Sequence, residues 1–227
     1  MGVCDGRVAL VTGASRGIGL EFCRQLRARG DDVVAVCRSP TEALHDLGVD
    51  IVDGVDVTEP AAGDLAGRLR GCNIDALINN AGVLRRDRLG SLGEESVDDI
   101  LLQFRTNSLA PLLVTEALLP NLRGGSKVAI VTSRMGSVTD NTSGGYYGYR
   151  MSKAAVNIAG VSLARDLADR KIAVALLHPG YVRTDMTGHE GFCDADEAVG
   201  GMLARIDGLT MENTGGFWHA NGETLAW

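Results

Sequence analysis

The stretch best equipped for chemistry is Tyr149-Arg150-Met151-Ser152-Lys153, a phenol and an ammonium four residues apart at the start of an Ala-rich helical pattern. Residues at i and i+4 lie one turn apart on one helix face. A cation within about 4–6 Å favours the phenolate and draws a tyrosine below its usual pKa of about 10. Such a pair brings a proton donor and acceptor toward working pH, as adding or removing a carbonyl proton requires. The same spacing also arises by chance on solvated helices, so the rest of the chain has to supply partners.

Several candidate partners fall where strands end. Lys127 to Thr132 is an apolar run that reads as a strand, with Ser133 at its carboxyl end. Asn79-Asn80-Ala81-Gly82 closes the strand-like run Ile74 to Asn79, at a position where open α/β sheets bind ligands; a plain turn fits those residues too. His178-Pro179-Gly180 ends the run Ile172 to Leu177, and Thr184 follows in a loop that could close over a ligand. His178, beside a proline, reads as structural, and the four histidines show no metal-ligand spacing. Between these lies Ser96 to Leu122, helical in spacing but interrupted by Pro111. Proline has no N–H for the carbonyl four residues back. The sequence therefore predicts a kink and a main-chain oxygen at Asn107 open to a water; a packing kink without a chemical role fits equally.

A nucleotide loop is written into the amino-terminal end. Arg7 to Thr12 suits a strand buried on both faces, followed by Gly13-Ala14-Ser15-Arg16-Gly17-Ile18-Gly19 and an amphipathic segment, Leu20 to Arg29, stopped by Gly30. Strand, glycine turn and helix together let the backbone approach a pyrophosphate at a helix N-terminus. The spacing is G-x-x-x-G-x-G and not the general G-x-G-x-x-G. After the second strand, Val33 to Cys37, an acidic residue would bind the ribose hydroxyls of NAD, whereas an arginine accommodates a 2′-phosphate. The chain offers Cys37-Arg38 and no carboxylate, with Arg16 pointing to the same neighbourhood, so NADP(H) is expected over NAD(H). Either arginine taken alone reads as surface charge. Val49 to Val52 forms a third strand, Asp56-Val57 the turn where an adenine would sit, and Pro60 to Leu69 a weak helix.

The helix from Tyr149 to about Asp169 carries a small-residue strip (Ala154, Ala155, Ala159) suited to packing on its own sheet or on a second subunit, and Gly215 to Ala220 reads as a last strand. Strands alternating with helices over the whole chain give an α/β fold: one doubly wound parallel sheet with helices on both faces, a single domain spanning residues 1–227. With 30 glycines, 45% hydrophobic residues and a net charge of -7 from scattered basic residues, the chain is expected to be soluble and not to bind nucleic acid. Five cysteines without pairing or metal spacing read as reduced thiols of a cytoplasmic protein, and neither a leader nor a membrane span is expected.

Taken together, Thr12-Gly13-Ala14-Ser15-Arg16-Gly17-Ile18-Gly19, Asn79-Asn80-Ala81-Gly82, Asn107, Ser133, Tyr149-x-x-x-Lys153 and Pro179-Gly180 with Thr184 resemble the short-chain dehydrogenase/reductase family, in the family's order and over nearly the whole chain. Ser133-Arg-Met-Gly-Ser, Gly215-Gly-Phe and Asn221-Gly-Glu-Thr-Leu-Ala-Trp227 are similar to the C-factor and sniffer-like carbonyl reductases. The resemblance implies a catalytic set: Tyr149 donates the proton, Lys153 depresses its pKa and bonds the nicotinamide ribose, Ser133 bonds the substrate oxygen, and Asn107 holds a relay water. It implies cofactor contacts from Gly13, Ser15, Arg16, Gly17, Ile18, Gly19, Arg38, Asp56, Val57, Asn80, Ala81, Gly82, Tyr149, Lys153, Pro179, Gly180, Val182 and Thr184. The serine-to-tyrosine interval of 16 positions is longer than is common in the family, through Asp140 to Gly145, which leaves Ser137 as a rival to Ser133. The expected activity is reduction of an aldehyde or ketone, reversible toward secondary alcohols, in a homodimer or homotetramer. A signalling protein that binds the cofactor with incidental turnover is the alternative. Arg134, Met135, Tyr146, Tyr147 and the Tyr181-to-Asp196 segment are expected to line the substrate pocket.

Overall fold

The computed structural model describes residues 6–59 and 65–227. Seven parallel strands form one sheet: β1 (Val8–Thr12), β2 (Asp32–Val36), β3 (Asp50–Val52), β4 (Ile74–Asn79), β5 (Leu122–Val131), β6 (Ala173–His178) and β7 (Gly216–His219). They lie in the order β3-β2-β1-β4-β5-β6-β7. The chain runs outward from β1 to one edge, then crosses back to β4, so the carboxyl ends of β1 and β4 face the crevice where the order reverses.

Both sheet faces are covered, which is why the strands read as continuous apolar runs. On one face pack α1 (Gly17–Ala28), α2 (Glu42–His45) and α7 (Ala195–Asp207), whose Phe22, Leu26, Leu44, Val199, Met202 and Ile206 meet Ala9, Val11, Val33, Ala35, Ile78 and Leu177. The intervening strand residues (Val8, Leu10, Val34, Leu77, Val128, Ile130) meet Leu65 of α3 (Leu65–Arg68), Val114 of α5 (Ala110–Ala117) and Val156 and Leu163 of α6 (Tyr147–Asp166). Residues 60–64 of the expected Pro60-to-Leu69 helix lie outside the described residues.

Three departures from the sequence reading have physical causes. The helical run ahead of β5 is not one kinked helix: α4 (Glu94–Phe104) passes into a π-helical turn, Arg105–Leu109, before α5 begins. The Ala110 N–H reaches back five residues to the Arg105 carbonyl, so the wider turn takes the place of the sharp kink expected at Pro111. β5 starts at Leu122 rather than Lys127. Finally α7, which the pattern did not announce, fills the face beside α1. The alanine strip of α6 does not face the sheet. Ala154, Ala155 and Ala159 are half-buried between exposed Met151 and Ile158, while Val156, Gly160 and Leu163 turn inward.

Candidate active site

The glycine loop is shaped by its contact with the turn after β4. Gly13 has φ +66, and a Cβ there would lie 2.8 Å from Ala81 Cα; a Cβ on Gly19 would lie 2.1 Å from the Gly13 carbonyl oxygen. Only glycine fits either place. The Asn80 amide donates to the Thr12 and Gly13 carbonyls, and the Thr12 hydroxyl accepts from the Asn80 and Ala81 N–H groups. Thus much of the Asn79-Asn80-Ala81-Gly82 chemistry goes into building the cradle. α1 opens with no side-chain cap and no acidic residue in its first turn, leaving a positive helix end suited to a pyrophosphate.

The loops around this cradle bring the cofactor candidates together. The Thr41 hydroxyl donates to the Ser15 carbonyl, tying the loop after β2 to the glycine loop. Arg16 and Arg38 flank that junction, 74% and 73% exposed, with single carboxylates (Asp185 and Asp56) at 3.7 and 3.8 Å. Burial pushes the Asp56 carboxyl up, but bonds from the Thr58 N–H and hydroxyl, with the Arg38 charge, bring it below its usual value. Val57 beside it is buried. Thr184 reaches Gly17, its Cγ2 lying 3.7 Å from where a Gly17 Cβ would be, so the loop following Pro179-Gly180 and Val182 covers the glycines.

The proton-transfer candidates converge on the carboxyl ends of β4 and β5. The Ser133 hydroxyl accepts from the Met135 N–H and lies near enough to the buried Tyr149 phenol to favour its ionised form, whereas the Ser137 hydroxyl accepts from the Asp140 N–H and has no such influence on the phenol. That influence on the phenol favours Ser133 over its rival. Lys153 Nζ donates to the Val131 carbonyl at 3.0 Å and stands 5.7 Å from the Tyr149 ring centre. One expectation is reversed. Burial pushes the Tyr149 phenol up to about 12, against the lowering by Ser133, and pulls Lys153 down to about 8. Desolvation disfavours phenolate and ammonium alike, and it is the leading cause at both residues. The Asn107 side chain is held tightly: its Oδ1 accepts from the Val83 N–H, and its Nδ2 donates to the Val83 carbonyl and the Ser152 hydroxyl. Through Ser152 it braces the helix at the residue before Lys153.

Asp87 was not singled out by the sequence. It is 8% exposed, and its carboxylate accepts from the Tyr147 and Gly148 N–H groups at the start of α6. The residue ahead of that helix, Tyr146, adopts a left-handed φ of 52 and offers no side-chain cap, so Asp87 caps the Tyr149 helix from a distant loop. The only hint was a lone acid in the basic run Arg85-Arg86-Asp87-Arg88. His178 was read as structural, and burial with the His219, Arg134 and Lys153 charges nearby drives it down to about 3. Its ring meets His219 edge-on at 5.0 Å. Of the expected pocket residues, Arg134 bonds Glu223 at 2.8 Å, and Tyr181 packs on Phe192.

A nucleotide cradle joined to a Ser–Tyr–Lys cluster on a doubly wound sheet defines a dinucleotide-dependent oxidoreductase class, and comparison with known proteins fixes the family. The short chain dehydrogenase model matches residues 7–191, and the chain belongs to that family. It is 44% identical over 225 residues to 1-hydroxy-2-glutathionyl-2-methyl-3-butene dehydrogenase of Rhodococcus sp. (strain AD45), covering 96% of this chain and 98% of that protein. It is 47% identical over 156 residues to the C-signal protein of Myxococcus xanthus, covering 68% of this chain and 93% of that one. Among solved structures, the NADPH-bound carbonyl reductase from chicken fatty liver superposes with a TM-score of 0.86 at 32% identity, over 98% of this chain and 99% of that one. Among the described residues no helix is long and apolar enough to cross a membrane.

Proposed function

We propose that the protein is an NADP(H)-dependent oxidoreductase acting between a carbonyl compound (aldehyde or ketone) and the corresponding secondary alcohol. The observation that carries this reading is the buried Tyr149 with Lys153 Nζ 5.7 Å from its ring and Ser133 near its phenol, beside a glycine cradle that a Cβ would block. The cradle fits a pyrophosphate at the α1 N-terminus, with Arg16 and Arg38 placed for a 2′-phosphate and Asp56 and Val57 for the adenine. The bound nicotinamide supplies or accepts the hydride. The protein's part is the proton and the alignment. Tyr149, kept protonated by its burial, donates to the carbonyl oxygen, and Ser133 donates a hydrogen bond where negative charge develops. Lys153, lowered to about 8, is poised to resupply the phenol, with Asn107 fixing the backbone around it.

The likeness to an NADPH-bound carbonyl reductase and to a dehydrogenase of a glutathionyl alcohol supports both the cofactor and the reaction type. Oxidation of NADPH on a panel of aldehydes and ketones tests the reading; absence of turnover on all of them would sink it. Likeness to C-signal favours a second reading, a signalling or regulatory protein that binds the cofactor with incidental turnover. Tight NADPH binding without turnover would select that one. We place the protein in the cytoplasm, its five cysteines reduced, and assign it a homodimer. Exposed Leu101, Leu112, Leu113, Met151 and Ile158 lie on α4, α5 and α6, and cover by a second copy would take their apolar surface out of water.

A further inference from the structure

Arg150 stands inside the tyrosine motif, yet the proposed reaction gives it no part. Its half-buried guanidinium donates through Nε to the Gly145 carbonyl at 3.1 Å and through Nη1 to the Met135 carbonyl at 3.4 Å. Nη2 donates to the Ser143 hydroxyl at 2.9 Å and to the Gly144 carbonyl at 3.4 Å. All four acceptors are neutral, and all belong to the segment between Ser133 and Tyr149. One planar fork thus ties the first residues of that segment to its last, across the stretch that lengthens the serine-to-tyrosine interval. The tip has separate anchors: the Thr139 N–H donates to the Trp227 carbonyl at 3.0 Å, and Arg134 meets Glu223 at 2.8 Å. The near end of the tie leads to Ser133. In the short turn Arg134–Gly136 the Met135 N–H donates to Ser133 Oγ at 3.1 Å, so Met135 is held by Ser133 at its amide and by Arg150 at its carbonyl. A Cβ on Gly136 would lie 2.6 Å from the Lys153 carbonyl carbon, so the turn is pressed against α6 beside the same motif.

We propose that Arg150 is a positioning residue, which closes the long segment after Ser133 onto α6 and, through Met135, fixes the Ser133 hydroxyl for the substrate oxygen. A hydroxyl carries one proton and two lone pairs. The Met135 N–H fills one lone pair and so sets where the Ser133 proton can point. Arg150 and Tyr149 are neighbours on one helix, so the same tie places serine and phenol in one frame despite the 16 positions between them. This deepens the proposed activity and rests on it for the role of Ser133.

The experiment uses NADPH-loaded protein and an aldehyde that it reduces. Arg150→Met should lower kcat by about 10–10²-fold, the cost of misplacing a reacting group by roughly 1 Å, with KM for NADPH unchanged. Added to Ser133→Ala, which removes the hydroxyl itself, it should cost no further kcat, whereas a role elsewhere in the fold multiplies the two losses. Multiplied losses, or a native kcat in Arg150→Met, overturn the proposal. Arg150→Lys keeps the charge as a single point that cannot span Met135 and Gly145, and its kcat should fall between the two. A native kcat in that variant overturns the proposal even should Arg150→Met fail to fold. Hydrogen exchange of the loaded protein gives a readout independent of turnover. In Arg150→Met the Met135 and Gly136 amides should exchange at least about tenfold faster, as the loss of bonds to a charged group implies. Arg165→Met, an equal loss of charge further along α6, should leave them as they are. Faster exchange confined to Arg150→Met supports the tie even if no aldehyde reacts, an outcome that would count against the proposed reaction alone. Unchanged exchange, or an equal change in both variants, counts against the tie.

Discussion

Asp87 Oδ2 lies 2.8 Å from the Gly148 nitrogen, and through that bond a loop far away in sequence sets the first turn of the helix bearing Tyr149. No space exists there for a larger residue: a Cβ on Gly148 would come within 2.6 Å of Gln103 Nε2 and 3.0 Å of the Asp87 carboxylate. Asp87→Ala leaves the Tyr147 and Gly148 N–H groups unpaired, the latter in a buried place, at a cost of about 1–3 kcal/mol. The expected result is a lowered Tm and a lowered kcat with NADPH affinity retained. Asp87→Asn, which keeps an acceptor oxygen, should recover part of both. Thermal denaturation alongside steady-state kinetics distinguishes this from a loop of no consequence, for which neither number would move.

Tyr149→Phe removes the proposed acid and little else, because the ring packs as before. Turnover should fall by about 10²–10⁴-fold, the usual worth of a positioned proton donor. NADPH binding, followed by fluorescence, should stay intact. Near-normal activity in this variant would take Tyr149 out of the mechanism.

His178 gives a pH dependence whose sign can be worked out. Its folded pKa, about 3, lies below the ordinary value of 6.5, because burial and neighbouring positive charge disfavour the imidazolium. Between those limits the unfolded chain binds the proton and the folded chain does not, so unfolding is favoured as pH falls. The stability present above pH 6.5 is therefore lost progressively from 6.5 down to 3 through this group. His178→Asn should flatten the fall of Tm in that window relative to the native protein. Parallel curves would show that the imidazole is free to ionise in the folded state.

The sequence made the nucleotide half of the molecule legible because local constraints and function coincide there. Gly13 and Gly19 are needed by the backbone as much as by a ligand, and β1, β2 and β4 are apolar on both faces. The rest depended on contacts that spacing does not encode. α7 was hidden by Gly200-Gly201, a poor helix signal; a Cβ on Gly201 would lie 2.4 Å from the Ala220 carbonyl oxygen, so packing overrode propensity. The π-helical turn, Arg105–Leu109, is polar but for Leu109, and five residues carry no spacing that separates it from an ordinary helix. The motif paired Tyr149 with Lys153 but not the direction of the tyrosine's pKa, since spacing carries no information on burial.

The apolar side of α4, α5 and α6 makes oligomeric state testable by one charge. Ile158 is 66% exposed, so Ile158→Glu has no reason to disturb the fold of an isolated chain. At the centre of a two-fold contact it would place like charges against each other. Sedimentation should show a native dimer and a variant monomer of unchanged helix content. A native monomer would remove the assignment.

Cofactor choice rests on Arg38 and on the absence of an acid after β2. Arg38 is 73% exposed, with Asp56 at 3.8 Å, so its charge is open to a ligand phosphate. A hydrogen bond to a charged group contributes about 1.5–3 kcal/mol, equivalent to roughly 10–150-fold in affinity. Arg38→Asp removes that bond and supplies the acceptor that ribose hydroxyls use. The ratio of kcat/KM for NADPH to that for NADH should fall by a factor in that range, mostly through KM for NADPH. An unchanged ratio would mean that the 2′-phosphate is held by another group, and Arg16, on the opposite side of the Ser15–Thr41 junction, would be the next residue to replace.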